Sequence, residues 1–135
     1  MANLISISEA ASLGLHAAAV LATCSDDTMT TSEIASRLEV SEAHLAKVLQ
    51  QMSRAGIVKG TRGPHGGFRL IREAEKTTLR EIYEAIEGKI STRRCLFDRP
   101  VCGRRNCPLG EIIREASDVI IRGLEETTLE QISVT

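Results

Sequence analysis

Three cysteines, Cys95, Cys102 and Cys107, fall within thirteen consecutive residues of this 135-residue chain. Thiolates this close together can hold a metal ion, hold an iron–sulfur cluster, or react with oxidants. Their six- and four-residue gaps match neither of the usual ferredoxin patterns, and they lack the paired two-residue spacing of most zinc ribbons. The spacing therefore predicts a sensing site and argues against an electron carrier. The residues alone leave cluster, zinc and thiol chemistry open.

Arginines surround these thiols. Residues 93–105 carry five arginines against one acid, Asp98, for a local net charge of +4. Soft thiolates match the iron of a sulfide cluster, and the arginines would balance its negative charge. The fourth cysteine, Cys24, is distant in sequence and is interpreted as a small buried thiol.

The formal net charge of −1 hides a segregated distribution. Residues 1–36 contain four acids and no Lys or Arg, whereas residues 37–72 contain seven bases and two acids, a local net of +5. A nucleic acid responds to such a local basic segment more than to the total charge. The distribution predicts a DNA partner for the first half of the chain.

Length and composition limit the class of protein. A chain of 135 residues with 42% hydrophobic residues can form one domain plus an assembly element. With one Tyr, two Phe and no Trp, its core must be aliphatic, which favours packed helices. There is no run of eighteen apolar residues and no signal-peptide pattern, so we expect no membrane association and a cytoplasmic protein with reduced thiols.

Serine and threonine caps predict three helices in the first half of the chain. Two of them start with the Ser/Thr-x-x-Glu capping box, which ends at Glu9 in the first case and at Glu33 in the second. The third is capped by Ser41 and closed by Gly56. The predicted helices span residues 6–23, 30–38 and 41–55.

A hairpin and another helix follow. Residues 57–59 and 68–71 are typical of short strands, joined by a turn of glycines around Pro64. Thr78 caps a helix that ends at Gly88. Two short helices, a tight turn and a two-stranded wing form a winged helix-turn-helix. The predicted fold class is mainly α with a small β-wing.

Pro108 predicts the start of a last helix, which runs to about Glu126. Apolar and small residues recur along it at alternating intervals of four and three, as in a heptad seam. Such a seam is too exposed on a single helix, so we expect a homodimer. The predicted domains are a winged helix-turn-helix DNA-binding domain (1–90), a cysteine-containing cluster loop (91–108), and a dimerisation helix and tail (109–135). The predicted seam consists of Leu109, Ile113, Ala116, Ile120, Gly123 and Thr127.

The polar side of the third helix is the predicted DNA-reading surface. Its N-terminus can meet a phosphate, and its outward polar side chains can reach base edges. The wing arginines suit the minor groove or the backbone, and the wing glycines allow a close approach. The predicted DNA-binding residues are Ser41, Glu42, His44, Lys47, Gln51, Arg62, Gly63, Pro64, His65 and Arg69.

Several motifs resemble the Rrf family of bacterial winged-helix transcription regulators, especially its IscR/NsrR-like subtype with a cysteine triad. They include Glu33-Ile-Ala-Ser-Arg-Leu, the wing Arg62-Gly-Pro-His-Gly-Gly-Phe-Arg-Leu, and Leu79-Arg-Glu-Ile-Tyr-Glu-Ala-Ile-Glu-Gly ahead of the cysteines. The resemblance covers essentially the whole chain. It implies a homodimeric repressor or dual regulator of double-stranded promoter DNA. It also implies that Cys95, Cys102 and Cys107 ligate a 2Fe–2S or 4Fe–4S cluster that changes DNA affinity.

Three thiolates leave one iron position open. In some relatives a histidine three residues after the last cysteine fills it, but here that position is Gly110. In others an acidic side chain from the partner chain does so, which by resemblance would be Glu9. Asp98 and Glu111 are further candidates. An oxygen ligand would leave a labile corner suited to sensing nitric oxide, oxygen or iron supply.

Two alternatives remain. One is a cluster-free repressor of the same fold, controlled by thiol redox chemistry or by a partner. The other is an iron–sulfur or thiol enzyme, but the chain shows no Cys-x-x-Cys motif, nucleophile–base constellation or phosphate loop. We therefore expect a regulator and not an enzyme.

Overall fold

The computed structural model describes residues 2–24 and 27–133 as a helical fold with a two-stranded antiparallel wing. This confirms the predicted fold class. No helix in these ranges is both long and apolar enough to cross a membrane. The elements are α1 (Glu9–Ala22), α2 (Thr31–Leu38), α3 (Glu42–Arg54), β1 (Val58–Thr61), β2 (Gly67–Leu70), α4 (Leu79–Glu87), α5 (Pro108–Glu126) and α6 (Leu129–Ile132).

The helix-turn-helix is set by two side-chain caps and one left-handed residue. The Thr30 hydroxyl accepts from the Glu33 N–H at 3.1 Å, and the Glu33 carboxylate accepts from the Thr30 N–H at 2.7 Å, which confirms this capping box. Ser41 caps α3 as predicted. Between the two helices Glu39 has φ +56°, a left-handed conformation that is strained for a residue with a Cβ.

The capping box predicted at Ser6 is wrong. Ser8 is the N-cap of α1, and its hydroxyl accepts from the Ala11 N–H at 3.0 Å. Glu9 is therefore the first helical residue, and a carboxylate in the first turn is favourable there because of the helix dipole. The capping role predicted for Glu9 is thus absent.

The core is aliphatic, as the composition predicted. The inward face predicted for α3 is confirmed, since Leu45, Val48, Leu49 and Met52 are all at most 1% exposed. They pack with α1, α2, α4 and the wing in one cluster. Burying one such side chain contributes about 1.5–3 kcal/mol, so this face fixes the position of α3.

The wing is held against the rest of the domain by the segment that precedes α2. Met29 forms a β-bridge with Phe68, with N–O distances of 2.9 and 2.7 Å. Gly67 has φ +148°, and a Cβ there would lie 2.6 Å from the Met29 carbonyl oxygen. Glycine at position 67 therefore permits the close approach that anchors the wing.

The chain continues beyond the long helix α5. Helix α5 has the predicted bounds, but a short helix, α6, follows it and was not predicted. Leu129 of α6 is fully buried in the core, and its N–H donates to the Thr77 carbonyl at 2.9 Å. The segment after α5 thus returns to the core formed by the preceding helices.

Candidate functional site

The loop between α4 and α5 brings the three predicted cysteines to one cavity. Cys95 and Cys102 lie in this loop, and Cys107 is the N-cap residue of α5. All three line a cavity of about 220 Å³. Cys24 is half-buried elsewhere, with its Sγ 3.1 Å from the Met29 Sδ. The structure therefore groups the predicted triad and leaves the fourth cysteine apart.

The cavity is cationic. Arg94, Arg104, Arg105 and Arg114 line it together with the thiols, and Glu111 contributes a carboxylate. Within the described ranges, no three His, Cys, Asp or Glu side chains are placed to hold one metal ion. A cluster contains several irons, so its thiolate ligands attach at separate points. Three thiols around one cationic cavity fit an anionic iron–sulfur cluster.

Gly110 lies where the loop backbone meets α5. It is buried, and a Cβ at this position would lie 2.2 Å from the Arg94 carbonyl oxygen. The neighbour is backbone, so it cannot rotate away as a side chain could. Position 110 therefore has no room for a histidine side chain in this arrangement.

Glu84 of α4 ties the start of this loop to the two neighbouring helices. Its Oε1 accepts from the Ile90 N–H at 3.0 Å and from the Arg80 Nε at 3.1 Å. Arg80 also pairs with Glu125 of α5. The Ile90 N–H, and to a lesser extent Arg80, hold the pKa of Glu84 below its usual value of about 4.5, against the opposing effect of burial. This network holds the start of the loop in place while the Glu84 carboxylate is ionised.

Helix α3, the predicted recognition helix, presents the predicted polar residues outward. Ser41, Glu42, Lys47 and Gln51 are exposed, and His44 is half-buried. The His44 Nδ1 lies 3.5 Å from a carboxylate oxygen of Glu9, the residue expected from the resemblance to be the fourth cluster ligand. Glu9 is thus beside the recognition helix of its own protomer. Its role as a ligand of the partner's cluster stays a prediction.

The wing exposes the other predicted DNA-binding residues except Arg69 of β2, which is half-buried. The tip residues Arg62, Gly63, Pro64 and His65 are exposed, and the Thr28 hydroxyl donates to the His65 carbonyl at 3.1 Å. The contacts of these residues with DNA also stay predictions.

Sequence reasoning missed one basic residue of the wing. Lys59 lies directly opposite Arg69 in the β1–β2 ladder. Like charges in this arrangement are unfavourable for folding, which suggests an anionic partner. In β1, the buried Val58 directly before the exposed Lys59 carries the signal that could have identified it.

Arg72 is one of the seven bases of residues 37–72, but its guanidinium is bound by other groups of the protein. It donates to the carbonyls of Ala55 and Gly56 at 3.3 and 3.2 Å and pairs with Glu81 of α4 at 3.2 Å. It therefore provides hydrogen-bond donors for carbonyls at the C-terminal end of α3 and links that helix to α4.

Helix α5 carries an exposed apolar stripe that differs from the predicted seam. Ile113 is half-buried and Thr127 lies beyond the helix end, whereas Ile112 and Val119 are each 63% exposed. Exposed apolar and small positions alternate by three and four residues, in the order Leu109, Ile112, Ala116, Val119 and Gly123, and Ile120 of the predicted seam is also exposed.

A winged helix-turn-helix with a basic reading face defines a DNA-binding transcription regulator. The family model described as "Rrf2: Iron-dependent Transcriptional regulator" matches residues 7–135. The chain belongs to the Rrf2 family, which confirms the resemblance found in its motifs.

Three known proteins show how far the likeness extends. Protein aau3 of Rhizobium meliloti is 33% identical over 104 residues, which cover 74% of this chain and 66% of aau3. The structure of CymR, the global cysteine regulator of B. subtilis, has a TM-score of 0.81 at 27% identity, over 96% of this chain and 97% of CymR. The structure of T. potens IscR has a TM-score of 0.76 at 25% identity, over 96% of this chain and 86% of that IscR chain.

Proposed function

We propose that this protein is a homodimeric transcriptional repressor whose binding to promoter DNA is controlled by a 2Fe–2S or 4Fe–4S cluster. Cys95, Cys102 and Cys107 would hold the cluster, which would report redox state, nitric oxide or iron and Fe–S status. The observation that carries the proposal is the single cationic cavity lined by these three thiols. The family description, which names iron dependence, and the likeness to IscR support it.

DNA binding would use α3 and the wing. Lys47 and Gln51 are exposed on α3, where they can reach base edges, and Ser41 with the helix N-terminus can meet a phosphate. Arg62 and Arg69 would contact phosphates or the minor groove. In a homodimer, two recognition helices about 34 Å apart would read half-sites one helical turn apart.

The exposed stripe of α5 supports the homodimer. Leu109, Ile112 and Val119 are each more than half exposed, which is costly for large aliphatic side chains in a row. Ala116 and Gly123 lie in the same stripe and would allow a close approach of two helices. A second copy of α5 would cover this surface.

The bound cluster would supply a redox-active and labile group. The protein would contribute positive charge from the cavity arginines and fixed ends for the loop. Glu84 holds the loop at Ile90, and Cys107 begins α5 at the other end. A change in loop conformation would therefore reach both α4 and the dimer helix.

Anaerobic purification, followed by absorption spectroscopy and native mass spectrometry, tests the proposal. We expect a coloured dimer that carries one cluster per protomer. Cys102→Ser should abolish the cluster but leave the helical circular dichroism unchanged. Cys24→Ser is the matched control and should keep the cluster, because Cys24 does not line the cavity. A colourless dimer that binds only zinc would contradict the cluster.

A cluster-free regulator is the second candidate. The observation that favours it is the likeness to CymR over nearly the whole chain. In this case the same thiols would respond to oxidants, or a partner protein would control the repressor. A colourless dimer that distinguishes a promoter fragment from scrambled DNA would support this candidate. Failure to distinguish the two DNAs in every state would instead contradict a regulator and favour an enzyme.

A further inference from the structure

We propose that Glu111 supplies the oxygen ligand that completes the cysteine triad, from the same protomer as the three thiols. This inference rests on the proposed function, because it needs a bound cluster. It differs from the expectation for Glu9, which would have to reach across from the partner chain.

The position of Glu111 follows from the start of α5. Its N–H donates to the Cys107 carbonyl at 3.0 Å, so the two residues are one helical turn apart. Cys107 is the N-cap residue and Glu111 lies in the first turn of α5, so both side chains start from the same end of the helix. Both side chains accordingly line the cysteine cavity, and Glu111 is the one carboxylate among the described residues that do so.

Arg114 orients the Glu111 carboxylate. Its guanidinium donates to Glu111 Oε2 at 3.0 Å and to Asp118 Oδ2 at 3.2 Å. In the proposal, the other Glu111 oxygen, Oε1, would bind iron. Carboxylates that bind metals are commonly held by such a hydrogen bond, which fixes their orientation. Arg114 is thus a positioning residue for Glu111.

The other candidates are placed less well. Position 110 has no room for a side chain beside the Arg94 carbonyl. Asp98 pairs with Arg93 and does not line the cavity. Glu9 lies on α1, beside His44 of its own protomer. Glu111, the carboxylate that lines the same cavity as the thiols, is therefore the better candidate.

The test compares Glu111→Gln with Glu9→Gln in the full-length protein, reconstituted anaerobically with iron and sulfide. Each variant replaces a carboxylate with a neutral side chain of the same size. The measurements are cluster content by native mass spectrometry and the rate of iron loss to a chelator, followed by absorption. For Glu111→Gln we expect either no cluster or iron loss at least about ten-fold faster than in the wild type. Glu9→Gln should match the wild type.

Arg114→Gln distinguishes binding of iron by Glu111 from a purely structural role of the Arg114–Glu111 ion pair. This variant breaks the ion pair but keeps the carboxylate, so it should lose iron more slowly than Glu111→Gln. Equal rates in these two variants would mean that the ion pair alone matters, which would overturn the assignment. Circular dichroism and the dimer mass should be unchanged in both.

The outcomes also separate this inference from the proposed function. If the wild type takes up no cluster, both the proposed function and the assignment of Glu111 are wrong. A wild type that holds a cluster, with Glu111→Gln unchanged, would remove Glu111 alone and keep the cysteine triad. Faster iron loss in Glu9→Gln only would assign the ligand to Glu9.

Discussion

The pairing of Lys59 with Arg69 gives the sharpest prediction for the DNA interface. The two bases are directly opposite in the wing, and Lys59 is exposed. Such a pair opposes folding but would neutralise phosphates. Lys59→Gln should therefore weaken DNA binding without weakening the fold. A residue kept for structural reasons would behave in the opposite way.

The expected magnitude follows from the number of charges removed. Each phosphate contact contributes about 0.9 to the slope of log affinity against log salt. A homodimer has two wings, so the variant should reduce the slope by about 1.8. Between 50 and 200 mM salt this corresponds to an affinity that falls about ten-fold less than in the wild type. The free energy of unfolding should stay the same or rise by a few tenths of a kcal/mol.

Fluorescence anisotropy with a promoter fragment over a salt series, together with urea unfolding, measures both quantities. Lys76→Gln is the matched control, because Lys76 is exposed, pairs with Glu73 at 2.7 Å and lies outside α3 and the wing. The control should leave the slope unchanged. An unchanged slope in Lys59→Gln would show that this face of the wing does not touch phosphates. A lower free energy of unfolding in Lys59→Gln would show that Lys59 and Arg69 do not repel each other in the folded protein.

Three further variants test local features of the fold and the cavity. Glu39→Gly should raise the free energy of unfolding by about 1 kcal/mol in urea titrations, because glycine removes the strain of the left-handed turn. Glu84→Gln should destabilise the protein above pH 4.5 in thermal unfolding. Its difference from the wild type should shrink as the pH falls further, because the lowered pKa of Glu84 stabilises the fold only while the carboxylate is ionised. Gly110→Ala should lower cluster content in absorption spectra despite the better helix propensity of alanine, because its methyl group would displace the Arg94 carbonyl.

The parts of the fold that local chemistry determines were predictable. The Thr30 capping box and the Ser41 cap depend on residues within one helical turn, and both are confirmed. At α1 two serines compete, and the pattern favoured Ser6 because Glu9 follows it by three residues. Ser8 is the cap instead, and its hydroxyl also donates to Glu87 of α4, a contact between distant residues that no local pattern contains.

Features that depend on packing between distant segments were missed. Helix α6 has four residues, too few for a helical pattern, and Leu129 is buried only because α5 returns the chain to the core. The three cysteines line one cavity because they are close in sequence, and their role as ligands stays a prediction. The role of Gly110 depends on where the loop places Arg94, and the pairing of Lys59 depends on the strand register.

The proposed control of DNA binding has a short structural path through α4. Glu84 binds the Ile90 N–H at the start of the cysteine loop, and Glu81 binds Arg72, which in turn binds the Gly56 carbonyl beyond the end of α3. Glu81 and Glu84 are three residues apart, so they are about 4.5 Å apart along the helix axis and lie on neighbouring positions of one face. A shift of the loop that pulls on Glu84 would therefore act on the end of the recognition helix within a single turn of α4.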